Sequence, residues 1–338
     1  MPDTFETLWD LPRIELRPLT TVRETRPCAV LTGEKSWAAV GDMLQLPIVT
    51  QAETLSADKT YLDSLADSLP SQVKVVYGVG GGRVSDAAKY IAWKHKLPAV
   101  IIPTTLSVDG FFTALAALRA DDTVQYEITG PAEKVIVDMD VVSGAPAHIR
   151  GTGIVEILSM TTGLLDWKYA ADRGKNTYQE RFQPWAASVA AGIAQQAYKI
   201  AAGVGEGRPD ALRNLLDLMC VEVQLTNQLG HNRPQEGSEQ YFAYAIEPRA
   251  SRGKSVPYSD LVGPGILIAA AMHKQNINPI RDTLRSAGVR LSQLPKDDII
   301  ATLKDLPSYV QKHNLPYSIV HEFNPSDAAI AELLQGWT

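Results

Sequence analysis

The chain has 338 residues, of which 45% are hydrophobic and 21% charged, with a formal net charge of −6. These values indicate a globular protein of about two domains, and the lack of basic clusters argues against a nucleic-acid partner. The N-terminus lacks a secretory-signal pattern, and the apolar runs fall short of the roughly 20 residues that cross a bilayer, so we expect no membrane partner. Cys28 and Cys220 are expected to be free thiols, which favours a cytoplasmic protein. Charges of both signs are scattered along the chain, which favours a small-molecule partner.

Residues 27–140 alternate short β-rich runs with helical stretches. The β-rich runs are bounded by Gly, Pro, Thr or Asp, and the stretches between them place apolar residues at helical spacing. The runs are CAVLTG, LPIVT, VKVVYGVG, PAVIIPTT and EKVIVDM. This alternation predicts an α/β domain over residues 1–150, with a mostly parallel, Rossmann-like sheet covered by helices on both faces.

After residue 150 the β-rich runs nearly vanish. Long stretches such as PWAASVAAGIAQQAYKIAAGV repeat apolar residues at helical spacing, which predicts an all-α domain over residues 151–338. We expect the ligand in the cleft between the two domains, a common location for small-molecule sites. The alanine-rich helices are also compatible with a homodimer, although the sequence does not decide the oligomeric state.

A glycine run, GVGGG at 78–82, lies between a predicted strand and a predicted helix. Glycines let the backbone approach a ligand closely, and the amides of a helix N-terminus suit a phosphate group. The spacing is not the G-x-G-x-x-G of the dinucleotide fingerprint, and a tight turn alone would use the same glycines. Asp86 is expected in the first turn of the helix, where it would complement the helix dipole.

Hydroxyl groups follow the next predicted strand. The segment IIPTTLSVDGFF carries Thr104, Thr105, Ser107 and Asp109 just after a strand end. The carboxyl ends of parallel strands face the same crevice, so these groups are expected beside the glycine run. Loop capping is the alternative for these residues alone. The two segments together predict a nucleotide site.

The segments GVGGGRVSDAAKYIA and PAVIIPTTLSVDG resemble the superfamily of iron-containing alcohol dehydrogenases, glycerol dehydrogenases and dehydroquinate synthases. The similarity is greatest to the sn-glycerol-1-phosphate dehydrogenase branch. Matching segments follow in the same order: VIVDMDVVSGAP, GIVEILSMTTGLLDWKYA and NRPQEGSEQYFAYAIE. The resemblance spans about residues 27–275 and implies a dehydroquinate synthase-like fold, in which a Rossmann-like domain precedes an all-α domain.

By this resemblance the glycine turn would bind NAD(H) or NADP(H), and Asp109 would lie near the substrate. The sequence does not identify the residue that meets the ribose, so the choice between the two dinucleotides stays open. The implied cofactor-binding residues are Gly80, Gly81, Gly82, Arg83, Asp86, Thr104, Thr105, Ser107 and Thr113.

Dehydrogenases of this family usually hold a divalent metal through one carboxylate and two histidines, and the metal polarises the substrate oxygen. Here the corresponding positions are Glu156, Gln240 and Tyr258, and Tyr244 replaces a further histidine often found near the substrate. Glutamine is a poor ligand for a transition metal, and tyrosine would have to ionise from a pKa of about 10. We therefore expect no catalytic metal bound in the family manner.

The remaining polar residues expected around the cleft suit an anionic or polyhydroxylated ligand. Arg233 is the expected anion partner, and Tyr258 is a candidate general acid toward a carbonyl. The tyrosines could equally fill the space of the lost imidazoles and metal, and His231 could be a loop histidine with no role on the substrate. The candidate catalytic residues are Asp109, Glu156, Lys168 and Tyr258, and the candidate substrate-binding residues are His231, Arg233, Glu239, Gln240 and Tyr244.

Three functions are compatible with these features. The first, which the intact nucleotide site favours, is a metal-independent NAD(P)-dependent dehydrogenase or reductase for a small hydroxylated or phosphorylated substrate. The second is a dehydroquinate synthase-like cyclase or lyase, which the run GFFTALAAL after Asp109 does not match. The third is a non-catalytic relative that binds nucleotide, which the altered metal ligands favour.

Overall fold

The structure, a computed structural model, describes residues 8–251 and 256–335. The chain divides into two compact units, neither of which is one continuous stretch of sequence. The first unit comprises Met1–Gly144 and Met219–Gly230, and the second comprises Ala145–Leu218 and His231–Thr338.

The first unit is built on a six-stranded sheet that is parallel throughout. Its strands and those of a small hairpin are β1 (Arg13–Leu16), β2 (Cys28–Thr32), β3 (Ile48–Glu53), β4 (Val75–Gly80), β5 (Ala99–Pro103), β6 (Leu115–Ala120), β7 (Thr123–Ile128) and β8 (Lys134–Val137). The order in the sheet is β1-β8-β5-β4-β2-β3, and β6 pairs with β7 as an antiparallel hairpin. The five predicted strands all form, whereas β1, β6 and β7 were not predicted.

The burial of the central strands explains why their positions could be predicted from continuous apolar runs in the sequence. Every residue of β2, β4 and β5 is buried, as expected for parallel strands that helices cover on both faces. The helices of this unit are α1 (Glu34–Val40), α2 (Lys59–Asp67), α3 (Gly82–Lys94) and α4 (Met139–Gly144). Helix α3 packs on β4 and β5, so its N-terminus lies at the carboxyl ends of the central strands.

The second unit is helical. Its helices, with the one that it shares with the first unit, are α5 (Ala147–Arg150), α6 (Thr152–Asp172), α7 (Pro184–Glu206), α8 (Pro209–Leu229), α9 (Ser238–Ser251), α10 (Tyr258–Met272), α11 (Asn278–Ser286), α12 (Lys296–Lys312) and α13 (Asp327–Leu333). Glycines allow close crossings: a Cβ on Gly265 would lie 2.4 Å from Glu239 O, and one on Gly205 would lie 2.4 Å from Ser286 O. The α/β unit and the helical unit confirm the predicted fold class.

Two further expectations can be compared with the structure. Cys28 is buried and Cys220 is half-buried, and neither takes part in a disulfide bond within the described residues. Within residues 8–251 and 256–335, no helix combines the length and apolar character that a bilayer crossing requires.

Candidate active site

The glycine turn connects β4 to α3. Gly82 is the first residue of α3, and a Cβ there would lie 2.6 Å from Val108 Cγ2, so the position has no room for a side chain. A Cβ on Gly81 would meet only Ser107 Oγ, at 3.9 Å. The N-cap residue, Gly81, has no side chain to accept hydrogen bonds from the first amides of α3. The turn therefore presents helix N-terminal amides beside an open backbone surface, an arrangement that fits a phosphate group.

The predicted hydroxyl groups lie beside this turn. The backbone N–H of Thr104 donates to Gly80 O at 3.1 Å, and Thr104 Oγ1 lies 3.3 Å from Ser36 Oγ. Ser107 is half-buried next to Gly81, whereas Thr105 is only 5% exposed. Adjacent parallel strands thus bring these groups to one edge of the sheet.

Two residues that were expected to bind the cofactor make contacts within the protein. Arg83 Nη1 donates to Leu55 O at 2.9 Å, in the loop after β3. Asp86 lies beyond the first turn of α3, so the prediction of a dipole-compensating first-turn acid was wrong. It pairs with Lys89 and accepts a hydrogen bond from the Ala117 backbone. Burial raises the pKa of Asp86 to about 6, although the nearby Lys89 opposes the rise.

Lys89 is a buried functional group that the sequence analysis missed. Its side chain is 1% exposed, and burial lowers the pKa of its ammonium group. Lys89 Nζ donates to Gly110 O at 2.6 Å and to Thr113 Oγ1 at 3.3 Å, and it also donates to Leu115 O. Asp109 precedes Gly110 in the chain. It begins a 3-10 turn and is 9% exposed.

In the second unit, the three positions that the sequence resemblance relates to metal ligands lie on three helices that pack on one another, α6, α9 and α10. Glu156 is buried on α6, and Gln240 Nε2 on α9 donates a hydrogen bond to Tyr258 Oη at the start of α10. This donor set is a carboxylate, an amide and a phenol, which does not fit a divalent transition metal. The described residues contain no group of three His, Cys, Asp or Glu side chains that could hold one.

Glu239 is enclosed rather than exposed to a ligand. It is fully buried, Gly237 N donates to its Oε1 at 2.7 Å, and its Oε2 lies 2.8 Å from Thr162 Oγ1. Burial, with the charge of Asp166, raises the pKa of Glu239 to about 8. The neighbouring Tyr244 donates to Glu236 Oε1 at 2.9 Å. The expected role of Glu239 in substrate binding therefore does not match its placement.

Arg233, His231 and Lys168 also differ from the expectation. Arg233 is 2% exposed and donates to Tyr317 O at 2.7 Å, so its guanidinium group is enclosed by the second unit. His231 Nδ1 accepts from Arg233 N at 3.2 Å, and burial and the Arg233 charge lower its pKa to about 4. Lys168 is exposed and pairs with Asp172 one turn along α6.

Asp166 forms hydrogen bonds to three separate segments of the second unit. This role was not predicted from the sequence. It is fully buried and accepts from Ser238 N at 2.7 Å, Ile319 N at 2.9 Å and His273 Nε2 at 2.9 Å. Burial alone would raise its pKa, but these hydrogen bonds outweigh burial and lower it. A Cβ on Gly237 would lie 2.6 Å from its Oδ2, so this contact also requires a glycine.

A parallel α/β unit with a glycine turn at its strand ends, together with a helical unit, is the fold of the iron-containing alcohol dehydrogenases and glycerol dehydrogenases. Sequence comparison agrees: the sequence model "Iron-containing alcohol dehydrogenase" matches residues 15–146. The chain is 30% identical over 256 residues to glycerol-1-phosphate dehydrogenase (NAD(P)+) of Aeropyrum pernix, which covers 75% of this chain and 69% of that protein. The chain belongs to the iron-containing alcohol dehydrogenase family.

Two further relatives support this assignment. Glycerol-1-phosphate dehydrogenase (NAD(P)+) of Saccharolobus islandicus is 29% identical over 274 residues, 78% of this chain and 75% of that protein. The crystal structure of a probable glycerol dehydrogenase from Sinorhizobium meliloti 1021 has a TM-score of 0.71 at 17% identity and covers 96% of each chain, which shows the shared fold. The predicted resemblance and the prediction of an oxidoreductase are thus confirmed.

Proposed function

We propose that the chain is an NAD(P)-dependent oxidoreductase that interconverts an alcohol and a carbonyl in a small hydroxylated or phosphorylated substrate, without a catalytic metal. The glycine turn carries the proposal, because Gly81 leaves the backbone open beside an uncapped helix N-terminus. The dinucleotide phosphates would lie on Gly81 and Gly82, with Thr104 and Ser107 as neighbouring hydroxyl donors. A bound nicotinamide ring would exchange a hydride with the substrate carbon.

The Gln240–Tyr258 pair is proposed to act on the substrate oxygen in place of a metal. During reduction the phenol of Tyr258 gives its proton to the oxygen of the former carbonyl, and during oxidation it takes the proton back. The amide of Gln240 donates to the phenol oxygen, so it stabilises the negative charge that forms there when the proton leaves. Glu156, buried on α6, is the proposed hydrogen-bond acceptor for a substrate hydroxyl.

The relatives named glycerol-1-phosphate dehydrogenases make sn-glycerol 1-phosphate the first substrate to test. The protein is purified without chelator, its metal content is measured by plasma mass spectrometry, and half of the sample is then dialysed against EDTA. NAD+ or NADP+ reduction is followed at 340 nm, as is oxidation of NADH or NADPH by dihydroxyacetone phosphate. We expect turnover that survives the chelator. Turnover that EDTA abolishes and zinc restores would refute metal independence.

Substitution of the proposed proton donor tests the chemistry separately from the cofactor site. Tyr258→Phe removes the proton and keeps the ring, so kcat should fall by roughly 100-fold or more while nucleotide affinity stays constant. Tyr178→Phe, at a position 79% exposed, is the matched control and should leave both quantities unchanged. A Tyr258→Phe variant with wild-type kcat would remove Tyr258 from the proposal.

A second function is a nucleotide-binding relative without turnover. The donor set at Glu156, Gln240 and Tyr258 favours it, because it lacks the imidazoles that hold a metal in this family. Binding of NADH or NADPH, measured by fluorescence, without turnover of a panel of polyols, sugar phosphates and the matching ketones would support this alternative over the enzyme.

A further inference from the structure

We propose that Lys89 is a positioning residue for the reaction, because it holds in place the segment 109–115 that carries Asp109 and Thr113. This inference rests on the proposed function, in which those two residues lie near the substrate and the cofactor. Lys89 itself is enclosed by protein and is not proposed to touch either ligand. Its role would be to fix the distance between the glycine turn and the residues that follow β5.

The contacts of Lys89 are concentrated on that one segment. Its Nζ donates to Gly110 O at 2.6 Å and to Leu115 O, and it reaches Thr113 Oγ1 at 3.3 Å. A lysine side chain that is 1% exposed is unusual and requires partners for its charge. Here most of those partners are oxygens of a segment with little regular structure, so the ammonium group substitutes for the hydrogen bonds that a strand or helix would supply.

Asp86 completes the arrangement from the same helix. Its Oδ1 lies 3.6 Å from Lys89 Nζ, and it accepts a hydrogen bond from the backbone of Ala117 in β6. The Asp86–Lys89 pair therefore contacts the segment at its beginning, through Gly110, and the strand that follows it. Helix α3 begins at Gly82 and contains both Asp86 and Lys89. The glycine turn and the two side chains that hold the segment 109–115 are therefore connected by one helix.

A purely structural role would make the pair important for stability alone. The positioning role predicts in addition that a folded variant without the pair binds nucleotide but turns substrate over slowly. Loss of the lysine alone would leave Asp86, whose side chain is 14% exposed, without its ion-pair partner, and such a variant can fail to fold. The double variant Asp86→Asn/Lys89→Met removes both charges and keeps similar side-chain volumes.

Four proteins are compared: the wild type, Lys89→Met, the double variant Asp86→Asn/Lys89→Met, and the control Lys94→Met. Lys94 lies on the same helix, is exposed, and pairs with Asp63 rather than with the segment, so its substitution is the matched control. Three quantities are measured: NADPH affinity by fluorescence, kcat and KM with dihydroxyacetone phosphate, and amide hydrogen exchange of residues 107–117. Circular dichroism verifies that each variant is folded.

In the double variant we expect amide exchange in 107–117 to rise roughly tenfold. We expect kcat/KM to fall roughly 100-fold, with NADPH affinity within about threefold of wild type. Wild-type turnover in a folded double variant would overturn the proposal, as would unchanged exchange in the segment. An equal loss of NADPH affinity and turnover would also overturn it, because the pair would then act through the glycine turn. If the wild type itself shows no turnover, the proposed function fails, whereas hydrogen exchange still decides whether the pair holds the segment.

Discussion

Glu239 should make the second unit less stable as the pH rises through neutrality. Its pKa lies at about 8 in the folded protein, against an ordinary value of 4.5, because burial and the nearby Asp166 disfavour the ionised form. Between those two values the folded state holds a proton that the unfolded state has lost. Stability therefore falls with increasing pH across this window, and it is greatest below the unfolded-state pKa.

The hydrogen bonds agree with a protonated carboxyl group. Thr162 Oγ1 donates to Glu239 Oε2 at 2.8 Å when the carboxyl group is ionised. Because Thr162 Oγ1 also lies 3.1 Å from Ser159 O, it can donate to that carbonyl and accept from Glu239 when the carboxyl group holds its proton. Glu239→Gln keeps a donor and an acceptor at the same places and cannot ionise. The wild type should lose about 1.4 kcal/mol per pH unit relative to this variant, or about 2 kcal/mol between pH 6 and pH 7.5.

The assay is thermal unfolding of both proteins at the two pH values. For an unfolding unit of this size, a change of 1 kcal/mol shifts Tm by roughly 2–4 °C, so the Tm advantage of Glu239→Gln should grow by roughly 4–8 °C from pH 6 to pH 7.5. Glu332→Gln, at an exposed position of α13, should show no such growth. A Tm difference that is the same at both pH values, or that shrinks at pH 7.5, would refute the reasoning.

Other substitutions test the site and the fold. The side chain added by Gly81→Ala meets little protein, so NADPH affinity should fall roughly tenfold or more while the protein stays folded. The control Gly192→Ala, in the interior of α7 with nothing within 4 Å of its Cβ, should leave the affinity unchanged and raise the free energy of unfolding by about 1 kcal/mol or less. Equal affinities of Gly81→Ala and wild type would remove the turn from the cofactor site. Asp166→Asn weakens the buried contact with His273 and should lower the free energy of unfolding in urea by about 3 kcal/mol, and a loss below about 1 kcal/mol would contradict that reading. Lys168→Ala breaks an exposed ion pair and should cost about 0.5 kcal/mol or less with no change in kcat, so a large fall in kcat would restore its catalytic role.

The central strands could be predicted because their burial imposes a continuous apolar sequence. The hairpin of β6 and β7 could not, since LAALRA has the composition of a helix and only its pairing with β7 makes it a strand. Its turn is formed by Asp121 and Asp122, both with positive φ, and this Asp-Asp pair is a weaker turn signal than the usual Asn-Gly or Asp-Gly. The edge strand β1 has four residues, two of them charged, and shows almost no pattern.

The part of the candidate site at the glycine turn, where the backbone forms the surface, could be predicted from the sequence. Glycines and hydroxyl residues at strand ends are visible as a local pattern, and the structure brings Gly81, Thr104 and Ser107 together. The inward direction of Arg233 was not predictable, because its main acceptor is the carbonyl of Tyr317, which is distant in sequence. Some charged residues near the matching segments could contact a substrate, and others, such as Arg233, form hydrogen bonds within the protein. A single sequence does not distinguish these two kinds of residue.

The division of the first unit into two stretches of sequence affects how the chain folds during synthesis. The sheet and its helices are encoded before residue 145, but the unit also needs Met219–Gly230, where Met219 and Val223 are fully buried and Asn227 Nδ2 donates to Trp9 O at 2.8 Å. At about 5–20 residues per second, a ribosome needs roughly 4–17 s more to reach the end of that stretch. During this interval the first unit lacks the stretch that carries the buried side chains of Met219 and Val223, so we expect this to be the period in which the nascent chain is most exposed to aggregation.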